Sequence, residues 1–191
     1  MLHASYGKCA LFLVIQEKIG DVGQAGVYKF PLRFESGAMR ARFSPHDGQL
    51  YVSGFKGWQT SGANDGCLQR VRYTGKAVCV PKSLHVHENG IRIGFTQPLD
   101  KELAEDLDRW TVDGGAMELP VDKEVWVQGF LGPEPGQDPV KIFSATLLDN
   151  GREVFLKTDA LGPVMQMKIH FDLESKDGDE LIGDVYNTIH A

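Results

Sequence analysis

Residues 164–173, VMQMKIHFDL, alternate apolar and polar side chains. Met165, Met167, Ile169, Phe171 and Leu173 fall on one face, and Gln166, Lys168, His170 and Asp172 on the other. A period of two marks an extended strand with one face buried and one wet, which a helix cannot reproduce. The pattern returns in 90–96 (GIRIGFT), where Ile91, Ile93 and Phe95 share a face. It predicts further strands at 124–130 (EVWVQGF), 140–147 (VKIFSATL), 153–158 (EVFLKT) and 180–186. Asp149-Asn150-Gly151 is a strong hairpin signal, and Asp177-Gly178 supplies another turn. The one helical pattern is 101–110, where Leu103, Leu107 and Trp110 recur at i, i+4 and i+7, with Asp100 placed to cap its first turn. Short strands at this density predict an immunoglobulin-like sandwich over residues 82–191.

Residues 1–80 also read as short strands, here between glycine-rich turns. The runs 11–19 and 27–32 flank Gly20, Asp21, Gly23 and Gly26 as a hairpin-like pair. Next come 40–44 (RARFS), a Pro45-His46-Asp47-Gly48 turn, and 49–55 (QLYVSGF). Proline presets φ, Asp caps the turn and Gly takes positive φ. A polar loop, 56–66 (KGWQTSGANDG), leads to 67–73 (CLQRVRY). The order of 2–7 then 11–15 is echoed by 50–54 then 68–73, as in consecutive blades of a β-propeller. Roughly two blades cannot close a propeller and would leave an edge and half a core open, which predicts an incomplete front end. The segment 76–89, with Pro81 inside it, is the predicted boundary.

Composition supports many turns and narrows the partners. There are 22 glycines in 191 residues, against a usual share of about 7%. Hydrophobic residues at 42% and charged residues at 24% argue against disorder. A net charge of −6 argues against nucleic acid, and the densest basic run, Arg70, Arg72 and Lys76, is too sparse for a phosphate track. The apolar stretch 10–15 is far short of the ~20 residues of a membrane span, and no signal peptide is visible, as in a chain that begins in mid-protein. Cys9, Cys67 and Cys79 form neither a zinc set nor a C-x-x-C-H haem motif. Cys67 and Cys79 either pair across neighbouring strands in an oxidising compartment or serve as small hydrophobes.

Several residues invite a chemical reading. His85-x-His87 on an extended segment places two imidazoles on one face, half of a metal site, but spacing fixes no third ligand and a structural or solvated role is the simpler account. His46-Asp47 lies in a turn that explains Asp47 without catalysis, and His170 sits on a wet strand face. Asp172, Glu174, Asp177, Asp179 and Glu180 cluster around a turn but lack the calcium-loop spacing. Hydrolase, nucleotide-binding and Rossmann motifs do not occur. The loop 56–66 is the best binding candidate, because loops carry function more often than strands. Trp58 offers a stacking surface for a sugar, and Asn64, Asp65 and Arg70 offer hydrogen bonds to hydroxyls or a carboxylate; the plainer alternative is that Trp58 packs between blades.

MLHASYGKC, MRARFSPHDGQLYVSGFKGWQTSG, RVRYTGKAVCVPKSLHV, GIRIGFTQPLD, VMQMKIHFDLESKDG and VYNTIHA, taken in order, resemble a family of large secreted proteins of planctomycetes and verrucomicrobia. These are described as membrane-bound or glucose/sorbosone-dehydrogenase-like propellers. The resemblance implies the end of a propeller followed by a sandwich, in a periplasmic or cell-surface setting. It implies a link to carbohydrate oxidation or electron transfer, with a c-type haem or cupredoxin-like module elsewhere in a longer polypeptide and no cofactor in this segment. No catalytic residue of the family maps onto this sequence. The partners expected are the rest of the parent polypeptide and a saccharide; the alternative function is a non-catalytic carbohydrate-binding or domain-docking module.

Overall fold

The computed structural model describes residues 1–115 and 137–190. Its regular elements are almost all antiparallel strands. In chain order they are β1 (Leu2–Ser5), β2 (Ala10–Ile19), β3 (Val22–Arg33), β4 (Gly37–Phe43), β5 (Leu50–Phe55), β6 (Gly66–Val71), β7 (Pro81–His87), β8 (Gly90–Phe95), β9 (Trp110–Gly115), β10 (Gln137–Pro139), β11 (Ile142–Leu147), β12 (Glu153–Thr158), β13 (Val164–Glu174) and β14 (Glu180–Ile189). One short helix, α1 (Lys101–Glu105), interrupts them. The strand expected at 124–130 lies outside the described residues.

The chain forms two compact units. Met1–Val14 and Lys29–Ala77 make the first; Ile15–Tyr28 and Val78–Ala191 make the second. The long strands β2 and β3 therefore contribute to both, turning at Gly20, whose φ of 58° suits a residue without a Cβ.

In the first unit, β1, β2 and β3 are successive neighbours, and β4, β5 and β6 form a three-stranded meander. Alternation sends Leu50 and Val52 of β5 inward, against buried Cys9, Leu11, Phe34 and Ala38. Ala41 and Val71 pack onto the same cluster, so the opposite faces of β4 and β6 are left to solvent. The Pro45–Gly48 turn forms as its sequence predicts: Gly48 has φ of 67°, and Asp47 Oδ1 accepts the amide of Gln49 at 3.1 Å. Gly37 is obligatory for a different reason. A Cβ there would lie 2.5 Å from the ring of Tyr6, which stands 5.3 Å from the ring of Phe55.

In the second unit the order β2-β3-β14-β13-β9-β10 makes one sheet, and β11-β12-β8-β7 a second, four-stranded one. Their inner faces meet in a core with Phe171 at its centre. Its ring lies 5.7 Å edge-on from Phe95, 6.1 Å from Trp110 and 6.2 Å from Tyr28. Ile91, Ile93 and Phe95 are all fully buried, as their alternation requires. The turn before β12 carries Gly151 at φ of 65°, and Asn150 Oδ1 accepts the amides of Arg152 and Glu153.

Three local expectations are corrected. Met165 is exposed, not part of the buried face, because the pairing of β13 with β14 shifts register between Val164 and Met167. This bulge lets Val164 and Met167 both point inward, three residues apart, and turns Met165 out. The helix stops at Glu105. Asp100 caps it by accepting from Leu103 N, but Asp106 is extended, Leu107–Arg109 form a single 3-10 turn, and Trp110 already belongs to β9. The indole of Trp110 donates to Ala104 O at 3.1 Å, and its backbone pairs with Phe171. Tertiary pairing thus overrides a weak helical period. Pro81 opens β7 instead of lying in a linker; the β7–β8 register shifts between Pro81 and Ser83, the kind of irregular strand start that a residue without an N–H tolerates.

Candidate functional site

The outer face of the β4–β6 sheet is built by register. Arg42 of β4 is the direct partner of Tyr51 of β5, which is the direct partner of Arg70 of β6. One step along, Arg40 opposes Ser53, and Ser53 opposes Leu68. Opposed residues in adjacent strands have Cβ atoms about 5 Å apart. Tyr51 is therefore flanked by an arginine on each side. Tyr51 OH donates to Asp47 Oδ2 at 2.9 Å, which anchors the ring's hydroxyl end. Arg40 and Arg42 each donate one N–H to the carbonyl of the preceding residue, leaving the remaining donors of each planar fork available. Among the described residues, no carboxylate forms an ion pair within 4.0 Å of Arg40, Arg42 or Arg70.

Asp47 is the one acid tied electrostatically to this row. Its carboxyl is held below the ordinary aspartate range, first by the Gln49 backbone amide, then by the Ser44 and Tyr51 hydroxyls and the charge of Arg70. The sign follows: a lowered folded value means the carboxylate's stabilisation of the turn is complete above the ordinary aspartate pKa. It is lost as pH falls through the lowered value. An NMR titration of the side-chain carboxyl of Asp47 is expected to give a midpoint below that of free aspartate, and Tyr51→Phe to raise it.

The loop between β5 and β6 is strapped down along most of its length. Lys56 N donates to Asp65 O at 2.7 Å, closing its base. Thr60 Oγ1 donates to Tyr6 O at 3.0 Å and Ser61 N to Gly7 O at 3.0 Å. The amides of Ala63 and Asn64 donate to Glu35 O. Of the residues singled out from the sequence, Asn64 is committed to this scaffold, its side-chain amide donating to Glu35 Oε2 at 2.8 Å and its carbonyl accepting from Ser36 Oγ. The carbonyl of Asp65 closes the loop. Trp58 projects, 83% exposed, and Arg70 stands in the outer row of the sheet. Cys9, with φ of 50°, lies fully buried beneath, its Sγ 3.3 Å from Thr60 Oγ1.

The second unit holds a groove of about 690 Å³ lined by Gln16, Glu17, Lys18, Gln24, Thr188 and His190, among others. Glu17 is its anchor. Oε2 accepts from Gln24 Nε2 at 2.8 Å and from Val86 N at 3.4 Å, and Oε1 lies 3.1 Å from His85 Nδ1. Gln24, 5% exposed, accepts in turn from His190 N at 3.3 Å. His85 is thus a partner of a carboxylate, whereas His87 sits edge-on to Phe155 at 5.8 Å. On the wet face of β13 and β14, Asp184 Oδ1 meets His170 Nδ1 at 2.8 Å and Lys168 Nζ at 3.4 Å. Asp172 pairs with Arg109 at 2.9 Å, and Asp179 N donates to Ser175 Oγ within the turn. Cys9, Cys67 and Cys79 are free thiols, and burial pushes the Cys79 thiol up. No grouping of three or more His, Cys, Asp or Glu with metal-binding geometry occurs among the described residues. Among the same residues no helix is long and apolar enough to cross a membrane.

No protein family, curated protein or solved structure matches this chain.

Sequence reasoning missed Arg40, Arg42 and Tyr51 as a group, and missed Glu17 and Gln24. The alternation R-A-R at 40–42 and Y-V-S at 51–53 was a usable signal for the first. It places both arginines on the face opposite Ala41, and Tyr51 and Ser53 opposite Val52. Nothing in the sequence pairs Glu17 with His85, because they come together only when the β2–β3 turn meets β7.

Proposed function

We propose that this chain is a non-catalytic saccharide-binding module of a periplasmic or cell-surface protein, with its binding surface on the first unit. The observation that carries this reading is Trp58: a large indole, 83% exposed, on a loop whose backbone is held by hydrogen bonds to two neighbouring turns. An exposed aromatic normally costs solubility without return. One displayed on a rigid support offers its electron-rich face to the C–H groups of a sugar ring at little entropic cost. Tyr51 and Phe55 add aromatic surface on the adjacent sheet, and Ser53 supplies a hydroxyl on the same face of β5.

In this reading the first unit corresponds to propeller-type strands and the second to an immunoglobulin-like sandwich. The association with carbohydrate oxidation is carried by the resemblance alone and needs a redox centre outside this segment. The saccharide reading is checked by retention of the full chain on immobilised polysaccharides. Trp58→Ala is expected to weaken that retention about tenfold, near the loss of one stacked aromatic ring, while leaving the thermal midpoint unchanged because the indole packs on little. Absence of retention on any polysaccharide overturns the reading.

A further inference from the structure

The arginines of the β4–β6 sheet define the ligand more closely, on the assumption that this face binds saccharide at all. A chain of net charge −6 concentrates Arg40, Arg42 and Arg70 on one small sheet face, without an ion-pair partner among the described residues. Asp47 feels the charge of Arg70, but no described acid of the unit forms an ion pair within 4.0 Å of the three. Asp47 is occupied by the Gln49 amide and Tyr51 OH, and Glu35 by the Asn64 amide. Arg40 and Arg42 share one face of β4 and Arg70 follows two strands away on the same face, so an anion lying along the row can accept charge-assisted hydrogen bonds from more than one guanidinium.

From this we infer that the surface recognises a carboxylated polysaccharide, a chain of uronic acid units, gripped by Arg42 and Arg70 on either side of Tyr51. The chemistry matches at each point. A guanidinium holds a carboxylate with two parallel N–H···O bonds, a geometry lysine cannot offer. The side chains of Arg42, Tyr51 and Arg70 follow one another across three strands. Neighbouring strands lie about 4.8 Å apart, so the two guanidinium stems are separated by about 10 Å. That spacing suits an extended polymer whose carboxylates on alternate rings reach the two arginines, with Tyr51 beneath the ring between them. Leu68, 74% exposed beside this row, presents apolar surface to the hydrophobic face of a pyranose. A neutral glycan uses the aromatics and leaves the arginine forks solvated.

The test compares polygalacturonate with its fully methyl-esterified form, which keeps the backbone and removes the charge, together with oligothymidylate as a second polyanion. All three are presented to the full chain on a biosensor surface. Polygalacturonate is expected to bind at least tenfold more tightly than its ester. Its affinity is expected to fall steeply between low salt and about 0.3 M NaCl, where the screening length shrinks to about 6 Å. The double variant Arg42→Gln/Arg70→Gln is expected to lose roughly tenfold on the acid and to be unchanged on the ester, in line with two exposed charge-assisted contacts. The salt dependence needs no variant, so a folding defect in the double variant leaves the conclusion open to refutation. Equal affinity for acid and ester removes the carboxylate specificity while leaving saccharide binding in place. Binding to neither sugar removes both. Tighter binding to oligothymidylate reassigns the face to single-stranded nucleic acid and overturns the inference.

Discussion

Replacing Phe171 by alanine is expected to destabilise the second unit by about 4 kcal/mol, the range found when a buried phenylalanine leaves a cavity that its neighbours cannot fill. Its ring is fully buried and touches three other aromatic residues: Phe95 on the facing sheet, and Tyr28 and Trp110 on its own sheet. These neighbours are themselves pinned. Trp110 is held by its indole bond to Ala104 O, and Phe95 by the Phe95 N to Arg152 O hydrogen bond. The cavity therefore stays open. At about 3 °C per kcal/mol for a chain of this size, the thermal midpoint should fall by roughly 12 °C. Calorimetry of the variant checks this, and Phe171→Leu, which restores most of the volume, is expected to recover more than half of the loss. A fall of only a few degrees for the alanine variant shows that Phe171 is not the keystone of the core.

Glu17→Ala is expected to lower stability by about 2–3 kcal/mol, although it removes a carboxylate at the rim of an open groove. The side chain is only 11% exposed, and its two oxygens serve three donors. Without it, the Gln24 amide is buried with no acceptor, and Val86 N loses its carboxylate partner. An unpaired buried donor forfeits its full solvation, which outweighs the gain from relieving one partly buried charge. Glu17→Gln keeps one acceptor oxygen for Gln24 and Val86 but turns its own amide towards His85 Nδ1, so it should recover only part of the loss. Denaturant unfolding gives the magnitude. Hydrogen exchange gives the location: the amide of His190, held by Gln24 Oε1, should exchange faster in the alanine variant. Stability within a few tenths of a kcal/mol of the parent shows that water replaces the carboxylate freely.

The strands were legible wherever a local rule was enough. The alternation in 164–173 located β13, and Asn150-Gly151 located the turn into β12, because a side-chain period and a positive φ are properties of adjacent residues. Asp100 was legible as a cap for the same reason. The helix expected over 101–110 failed at Trp110, where strand pairing with Phe171 outweighs the weak preference of a ten-residue helical pattern. Met165 failed because a bulge is set by the partner strand, which the alternation of β13 alone does not contain. Within the loop 56–66, nothing in the sequence distinguished Trp58, which projects, from Asn64, whose side chain is bonded to Glu35 of the scaffold.

By itself the amino-acid order determined that this protein is built of strands, where several of its turns fall, and, away from the β13 bulge, which side chains the clearly alternating strands turn inward. Those features depend on residues a few positions apart, whose chemistry is written next to one another. Tertiary structure alone decided that Arg42, Tyr51 and Arg70 form one row and that Glu17 meets His85 and Gln24. Both arrangements depend on register and on which strand tip meets which. Register is settled by the summed burial of whole faces, so no short stretch of sequence holds it.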